Sequence, residues 1–242
     1  ELPDPVPVLI RVRDECVEPG GITRLSIVYD APGRLPGETE PVTAHLLVPE
    51  SARRHPVPGV LALHPTHRRG KEAVTVAGVA ADRTYGLELA HRGYVVLAPD
   101  GIASGERVAP GEEYWDTSGF YRAYPGWTVI GRMLADHRQG VSVLQSLAEV
   151  DAAHIAAVGH SLGGYNAVFL AGLDPRITVT VSSCGSSMWA ADPTPNRWYR
   201  PGTAVRPFVH LPRLENDVRA GVVPFEWHEI TALVAPRRLF VY

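Results

Sequence analysis

The chain is poor in lysine, cysteine and long apolar runs, and each shortage argues against a class of protein. Lys71 is the only lysine in 242 residues and the net charge is −3, so no basic surface for nucleic acid is expected. With only Cys16 and Cys184, neither a disulfide framework nor a zinc ribbon is supported. No apolar run approaches the roughly 20 residues of a membrane-spanning helix. We expect small, neutral or weakly charged partners, and neither nucleic acid nor a membrane.

The remaining composition describes one globular domain of bacterial character. At 242 residues and 45% hydrophobic content, the chain can bury one substantial core, so we expect a single α/β domain over 1–242. The basic residues are otherwise arginine, which is typical of a GC-rich bacterial genome. The first residue is Glu1 and no signal segment follows it. Both a cytoplasmic protein and a secreted one with its leader removed agree with this.

Apolar patterning predicts strands that alternate with helices. Segments 22–29 and 42–48 suggest an antiparallel opening hairpin across a Pro/Gly-rich turn. Short continuous apolar runs, typical of strands buried on both faces, follow at 60–63, 94–98, 155–158 and 177–181. Helical spacing appears at 82–91, 129–147 and 165–171. The alternation favours a mostly parallel sheet flanked by helices.

The hexapeptide Gly159-His160-Ser161-Leu162-Gly163-Gly164 joins an apolar strand to a helix-compatible run. Gly-x-Ser-x-Gly in this context indicates a nucleophile elbow, in which the serine takes strained backbone angles and the glycines permit close approach of strand and helix. The N–H of Leu162 then lies at a helix N-terminus, where unpaired donors favour an anion. We therefore predict that Ser161 is the reactive residue and that Leu162 supplies half of an oxyanion hole.

Two long insertions, 101–127 and 185–224, interrupt the alternation just after predicted strand ends. Both are rich in aromatic residues, which argues against disorder. Ligands bind at the carboxyl ends of strands in open α/β sheets, so we expect these insertions to wall a pocket above Ser161. Satellite cores are the alternative use of their aromatic side chains. The aromatic residues predicted to contact substrate are Trp115, Tyr121, Trp127, Trp189 and Trp198.

In order, these segments resemble the α/β-hydrolase superfamily across nearly the whole chain from about residue 42. The motifs that carry the resemblance are LALHPT (61–66), YVVLAPD (94–100), GRMLADH (131–137), VD (150–151) and GHSLGG (159–164). Within the superfamily, segments 64–72, 181–185 and 228–237 resemble the branch that is similar to dienelactone hydrolases and acetyl xylan esterases. The resemblance implies an α/β-hydrolase fold and hydrolysis of a small carboxylic ester, without a metal or organic cofactor.

The resemblance also implies which residues act. Ser161 would be the nucleophile, and the oxyanion hole would combine the N–H of Leu162 with a second N–H near Thr66 or His67, in the loop after the third strand. Two features depart from relatives: glucuronoyl esterases carry an arginine where this chain has Leu162, and dienelactone hydrolases proper use a cysteine where it has Ser161. A general ester hydrolase is therefore the safer expectation.

Ser161 needs a histidine base and a carboxylate, which the superfamily places after the seventh and eighth strands. Segment 238–242 is predicted to be that seventh strand, so both partners would lie beyond Tyr242. On this interpretation the domain lacks its last strand and helix, and a C-terminal remainder or a companion chain completes it. An exposed apolar edge on the seventh strand supports this expectation.

Three alternatives to this interpretation remain open. The first is a triad rewired within the chain, with its residues taken from His210, His228, Asp192, Glu215, Asp217, Glu226 and Glu229. A catalytically inactive hydrolase fold used for binding is the second. The third is a serine peptidase of the oligopeptidase type, because Gly163-Gly164-Tyr165 is reminiscent of those enzymes, although nothing in the chain could form their propeller domain.

Histidines near the predicted site have several possible uses. His64, His67 and His160 are candidates for substrate contacts, although His64 can equally support the oxyanion loop, and the superfamily geometry points His160 away from the nucleophile. A metal site at His64 and His67 is not predicted, because no third ligand has a telling spacing. Lys71 and Glu72 are interpreted as a solvated ion pair.

Overall fold

A single eight-stranded sheet organises the computed structural model of the chain, which describes residues 2–80, 82–189, 198–199 and 208–242. Its strand order is β1-β2-β3-β5-β4-β6-β7-β8, in which β1, β2, β3 and β5 pair antiparallel and β5, β4, β6, β7 and β8 pair parallel. The strands are β1 (Ile10–Glu18), β2 (Ile22–Pro32), β3 (Thr39–Pro49), β4 (Val57–Leu63), β5 (Val95–Pro99), β6 (Val150–His160), β7 (Ile177–Ser183) and β8 (Arg238–Val241).

Helices cover both faces of the sheet. They are α1 (Glu72–Thr75), α2 (Tyr85–His91), α3 (Ser118–Ala123), α4 (Val129–Ser146), α5 (Leu162–Leu173), α6 (Leu214–Arg219) and α7 (Trp227–Ala232), with a 3-10 turn at Glu50–Arg53. The larger core lies between the sheet and α4 and α5, where Tyr29, Leu61 and Leu144 are fully buried. A smaller core lies under α2 on the opposite face and includes Ile22, Val60 and Leu87.

This architecture confirms the predicted fold class. The opening hairpin forms between β2 and β3, and each later predicted strand and helix has a counterpart. The first strand, β1, is not predicted from the sequence. Its side chains are mostly exposed, so it lacks the apolar pattern of a buried strand and adds to the sheet through backbone pairing with β2. At the far edge β8 pairs with β7, and Phe240 and Val241 are exposed.

The two predicted insertions are described in part. Residues 101–127 contain α3 and several turns, whereas residues 190–197 and 200–207 of the second insertion lie outside the described residues. The hydroxyl of Tyr121 connects the two insertions, because it donates to the carbonyl oxygen of Val209 at 3.0 Å. Both insertions follow carboxyl ends of strands, after β5 and β7, which places them at the end of the sheet where β6 turns into α5.

Candidate active site

The turn between β6 and α5 presents Ser161 in a strained conformation. Its backbone angles are φ 54° and ψ −114°, outside the regions that ordinary residues occupy at low energy. The turn is fixed on both sides, because Ser161 N–H donates to the carbonyl of Ser183 at 2.8 Å and Tyr165 N–H donates to the carbonyl of Ser161 at 3.1 Å. These two hydrogen bonds, one to β7 and one within α5, therefore fix the backbone that carries the serine side chain.

Two glycines make this turn possible by close approach rather than by unusual backbone angles. A Cβ added to Gly159 would lie 2.2 Å from the carbonyl carbon of Gly163, and a Cβ added to Gly163 would lie 1.9 Å from the carbonyl oxygen of Leu63. Real Cβ atoms do not approach backbone so closely, so the strand, the helix and the end of β4 can pack together only without side chains here.

Two residues near Ser161, Leu162 and Thr66, have backbone N–H groups that donate no hydrogen bond to the described part of the chain. Leu162 is the first residue of α5, so its N–H has no acceptor inside the helix. Thr66 lies in the loop after β4 and lines the same cleft as Ser161. Within the described residues, neither of these N–H groups donates a hydrogen bond. The helix dipole of α5 adds to the preference for negative charge at this point.

Ser161 opens into a cleft of about 340 Å³. The cleft is lined by Thr66, Ser161, Tyr165, Cys184, Gly185, Ser186, Ser187, Trp198 and His210. Among the described residues that line it there is no aspartate, glutamate, lysine or arginine, and their polar side-chain groups are hydroxyls, a thiol, an imidazole and an indole N–H. Such a surface suits an uncharged group that can accept or donate hydrogen bonds.

One wall of the cleft is a packed aromatic group. The hydroxyl of Tyr165 lies 2.9 Å from Nε2 of His210, and the ring of Trp198 lies 4.8 Å from the Tyr165 ring, centroid to centroid. The backbone N–H of His210 donates to the carbonyl of Trp198 at 3.1 Å. Tyr165, on the first turns of α5, thus connects the elbow to the second insertion.

The family model for the dienelactone hydrolase family matches residues 43–197, which is more than half of the chain and includes the elbow and the loop after β4. The chain belongs to the dienelactone hydrolase family. Membership agrees with the fold and the elbow described above.

A curated relative and two solved structures extend this comparison. A protein of Bacillus subtilis (strain 168) named "Putative hydrolase YtaP" is 32% identical over 133 residues, which cover 53% of this chain and 44% of that protein. A Bacteroides fragilis NCTC 9343 structure named "putative acetyl xylan esterase" has a TM-score of 0.71 at 22% identity, covering 100% of this chain and 63% of that one. The glucuronoyl esterase from Solibacter usitatus has a TM-score of 0.70 at 19% identity, covering 100% of this chain and 69% of that one.

At these identities the two structures establish a shared fold. The chain spans less than half of the length of the Bacillus relative and less than two thirds of the Bacteroides structure.

Residues 64–71 form the loop after β4 that contains Thr66, which we call the oxyanion loop after its predicted role; His64 is the buried first residue of this loop and does not line the cleft. Only 4% of its surface is exposed, its Nε2 accepts the N–H of Gly101 at 2.8 Å, and its Nδ1 therefore carries the proton and donates to the carbonyl of Pro65 at 2.7 Å. Burial lowers the pKa of His64, so the ring is neutral at pH 7. The predicted substrate contact is thus replaced by a supporting role, because both ring nitrogens are occupied.

The remaining two histidines predicted to touch substrate have different surroundings. His67 is half-buried in the oxyanion loop, where its Nδ1 accepts the N–H of Arg69 at 3.2 Å. His160 has its Nδ1 2.9 Å from the Ser183 hydroxyl, on the strand that flanks the elbow. Desolvation lowers the pKa of both imidazoles. Neither residue lines the cleft around Ser161.

Four of the five aromatic residues predicted to wall the cleft lie elsewhere. The Trp115 ring packs under the Arg68 guanidinium at 5.7 Å, and the Trp127 ring packs under Arg132 at 5.8 Å. The Tyr121 hydroxyl accepts the N–H of Val129, and burial raises the pKa of Tyr121 to about 12. Trp189 is buried in an aromatic cluster with Trp198, Phe225 and Trp227. Of the five, Trp198 lines the cleft around Ser161. Aromatic composition does not reveal which rings face a cavity.

The alternative of a rewired triad receives no support from the described geometry. Among the described residues, no histidine is hydrogen-bonded to the Ser161 hydroxyl, although His210 shares its cleft. His228 is exposed on α7, and Glu226 and Glu229 form the capping box of that helix. Arg219 pairs with Glu215, Asp217 lies on α6, and Asp192 lies outside the described residues.

Lys71 is not solvated, contrary to the sequence interpretation. It is 2% exposed, and its Nζ lies 2.5 Å from Asp100 Oδ2 and 2.6 Å from Glu106 Oε1. Glu72 pairs instead with Arg69. The sequence gives no signal for this arrangement, because Asp100 and Glu106 approach Lys71 only when β5 lies beside β4.

Two further observations concern the described residues as a set. No group of three or more histidine, cysteine, aspartate or glutamate side chains among them is arranged to hold a metal ion. In the same part of the chain, every helix is too short or too polar to cross a bilayer.

Proposed function

We propose that this hydrolase cleaves a carboxylic ester through an acyl-enzyme on Ser161. The observation that carries the proposal is the strained presentation of Ser161 at the mouth of the cleft, beside the unused N–H groups of Leu162 and Thr66. Family membership supports hydrolysis, and the esterase names of the structural neighbours make an ester the first substrate class to test.

The proposed chemistry proceeds in two steps. Ser161 Oγ loses its proton to a base and attacks the carbonyl carbon, and the carbonyl oxygen becomes an oxyanion held by the N–H groups of Leu162 and Thr66. The C–O bond to the alcohol then breaks, and the alcohol leaves with the proton. A water molecule attacks the acyl-enzyme by the same route and releases the acid. The chemistry requires no metal or organic cofactor.

The cleft favours a neutral substrate group near the reacting carbonyl. Its described lining offers hydroxyls and the wall of Tyr165, Trp198 and His210, and in this part of the chain it presents no charged side chain that would pair with an ionic group. A small neutral ester is therefore the proposed substrate, in a single catalytic domain whose cleft is built in part by the second insertion.

The nucleophile assignment is tested with a fluorophosphonate probe on the full-length protein. The probe should label wild-type protein, and Ser161→Ala should abolish labelling and lower ester hydrolysis by at least about 10³-fold. Ser186→Ala is the matched control, because it removes another cleft hydroxyl and should keep labelling. Absence of labelling in folded wild-type protein would favour the inactive binding module.

The ester assignment is tested by comparing short p-nitrophenyl esters with aminoacyl p-nitroanilides. Ester turnover well above anilide turnover is expected, because the described lining residues include no carboxylate to pair with a substrate ammonium. Anilide turnover without ester turnover would overturn the proposal in favour of a serine peptidase.

A further inference from the structure

The oxyanion loop is attached to the segment that follows β5 at three points along its length. His64 Nε2 accepts the N–H of Gly101 at 2.8 Å, and Gly105 N–H donates to the carbonyl of Arg68 at 2.9 Å. At the end of the loop, Lys71 bonds to Asp100. Thr66, whose N–H faces the cleft in the proposed mechanism, lies between the first two attachments. The position of that N–H thus depends on residues 100–105.

Asp100 is the centre of the third attachment. Its Oδ1 accepts the backbone N–H of Lys71 at 2.8 Å, and its Oδ2 accepts Lys71 Nζ at 2.5 Å and the Thr43 hydroxyl at 2.7 Å. The carboxylate is 1% exposed, and Glu106 supplies a second, more exposed carboxylate to the same ammonium. One aspartate therefore fixes both the backbone and the side chain of the last loop residue.

The neighbouring glycines show that the packing leaves room for this carboxylate. A Cβ on Gly70 would lie 2.0 Å from Asp100 Oδ1, and a Cβ on Gly105 would lie 2.1 Å from the same atom. Both glycines also have positive φ, 48° and 57°. Since a buried ion pair returns little net stability after its desolvation cost, stabilisation alone explains this arrangement poorly.

We propose that Lys71 and Asp100 are positioning residues that hold the oxyanion loop so that the Thr66 N–H binds the developing oxyanion. The inference rests on the proposed function, because it assigns Thr66 to the oxyanion hole. Loss of the ammonium leaves the buried Asp100 carboxylate without a cation, whereas Glu106 keeps its ion pair with Arg13, and the end of the loop moves. A donor displaced by about 1 Å weakens transition-state binding more than substrate binding.

The test compares Lys71→Met with Arg176→Met, in the full-length protein. Arg176 also pairs with a buried carboxylate, Asp174, at 2.5 Å, but it lies in the turn between α5 and β7 and is remote from the loop. For Lys71→Met we expect kcat on p-nitrophenyl acetate to fall about ten- to hundredfold, with KM changed less than about twofold. The affinity for an arylboronic acid, which forms a tetrahedral adduct on Ser161, should fall by the same factor as kcat.

Arg176→Met should keep kcat and boronate affinity near the wild-type values even if it lowers the melting temperature. Equal kinetic losses in the two variants, or a Lys71→Met loss confined to KM, would overturn the positioning role. If Lys71→Met fails to fold, Glu106→Gln gives the milder variant, and a smaller loss of kcat in the same direction is expected.

Hydrogen exchange separates this inference from the proposed function. Amides of residues 66–70 should exchange faster in Lys71→Met than in Arg176→Met, whether or not the protein hydrolyses esters. Unchanged exchange in this loop would overturn the inference. If the wild-type protein neither cleaves esters nor binds the boronate, the esterase proposal is rejected. Faster exchange in Lys71→Met would still support the attachment of the loop.

Discussion

Gly163 shows how strongly a single residue limits the elbow. Its missing side chain lets the first turn of α5 lie against the carbonyl oxygen of Leu63, at the point where β4 becomes the oxyanion loop. The Tyr85 hydroxyl donates to the same carbonyl from α2. A methyl group at Gly163 must therefore displace the nucleophile, the loop or both.

We predict that Gly163→Ala lowers both stability and activity. The added Cβ would lie 1.9 Å from backbone, so we expect a loss of about 1–3 kcal/mol in the free energy of unfolding and a fall in kcat/KM. Gly126→Ala is the control, because nothing lies within 4 Å of its added Cβ. Urea denaturation and ester kinetics measure the two effects. Equal stability of the two variants would contradict the close approach.

Residue by residue, the sequence predicts the site only where a local motif determines the geometry. The elbow motif does so, because glycines on both sides of a serine between a strand and a helix allow one compact turn. That turn places Leu162 at the start of the helix. The loop of Thr66 follows from its place after β4. The environments of Trp115, Trp127 and Lys71 depend on contacts with segments distant in the chain, which no local pattern encodes.

Among the elements, buried strands and helices are readable from the sequence and the edge strand is not. The runs of β4 and β5 are apolar because both of their faces meet helices, whereas β7 packs on α5 with one face and leaves Val179 and Val181 half-buried on the other. The apolar pattern predicts these elements with boundaries a few residues too narrow. Helix α5, for example, is predicted over 165–171 and extends over Leu162–Leu173. The side chains of β1 are mostly exposed, so this strand has no apolar pattern, although its backbone pairs with β2.

Helix α4 offers a test of how an element boundary is held. Thr128 is its N-cap, and the threonine hydroxyl accepts the N–H of Gly131 at 2.9 Å. Thr128→Ala should lower the free energy of unfolding by about 1 kcal/mol. Thr84→Ala is the matched control, because Thr84 caps α2 without a side-chain hydrogen bond and should cost less. Thermal denaturation of both variants provides the comparison, and a larger loss for Thr84→Ala would contradict it.

At the scale of the whole molecule, two buried histidines make the fold sensitive to acid. Desolvation lowers the pKa of His45 and of His137 from 6.5 to about 3. Nearby Lys71 also lowers the pKa of His45, and nearby His64 also lowers the pKa of His137. The Nδ1 of His45 lies 2.7 Å from the Thr75 hydroxyl, so this ring is held by a neutral contact. Between pH 6.5 and about 3 the unfolded chain binds protons that the folded protein does not, so stability falls as pH falls through this window.

We predict that each of these histidines contributes about 1.4 kcal/mol per pH unit to the loss of stability inside the window. His137→Gln, if it folds, should therefore show a shallower decrease in unfolding free energy between pH 6 and pH 4 than the wild-type protein. Replacement of the exposed His55 by glutamine is the control and should keep the wild-type slope. Equal slopes for all three proteins would show that His137 takes up its proton without unfolding.

The single lysine of these 242 residues gives the oxyanion loop a built-in reporter. A lysine-specific endoprotease has one bond to cut, between Lys71 and Glu72, and it lies at the buried attachment to Asp100. Cleavage under native conditions therefore requires that this attachment open first. The rate of that one cut, set against the intrinsic rate for an unfolded peptide, measures the free energy of opening the loop in the folded protein.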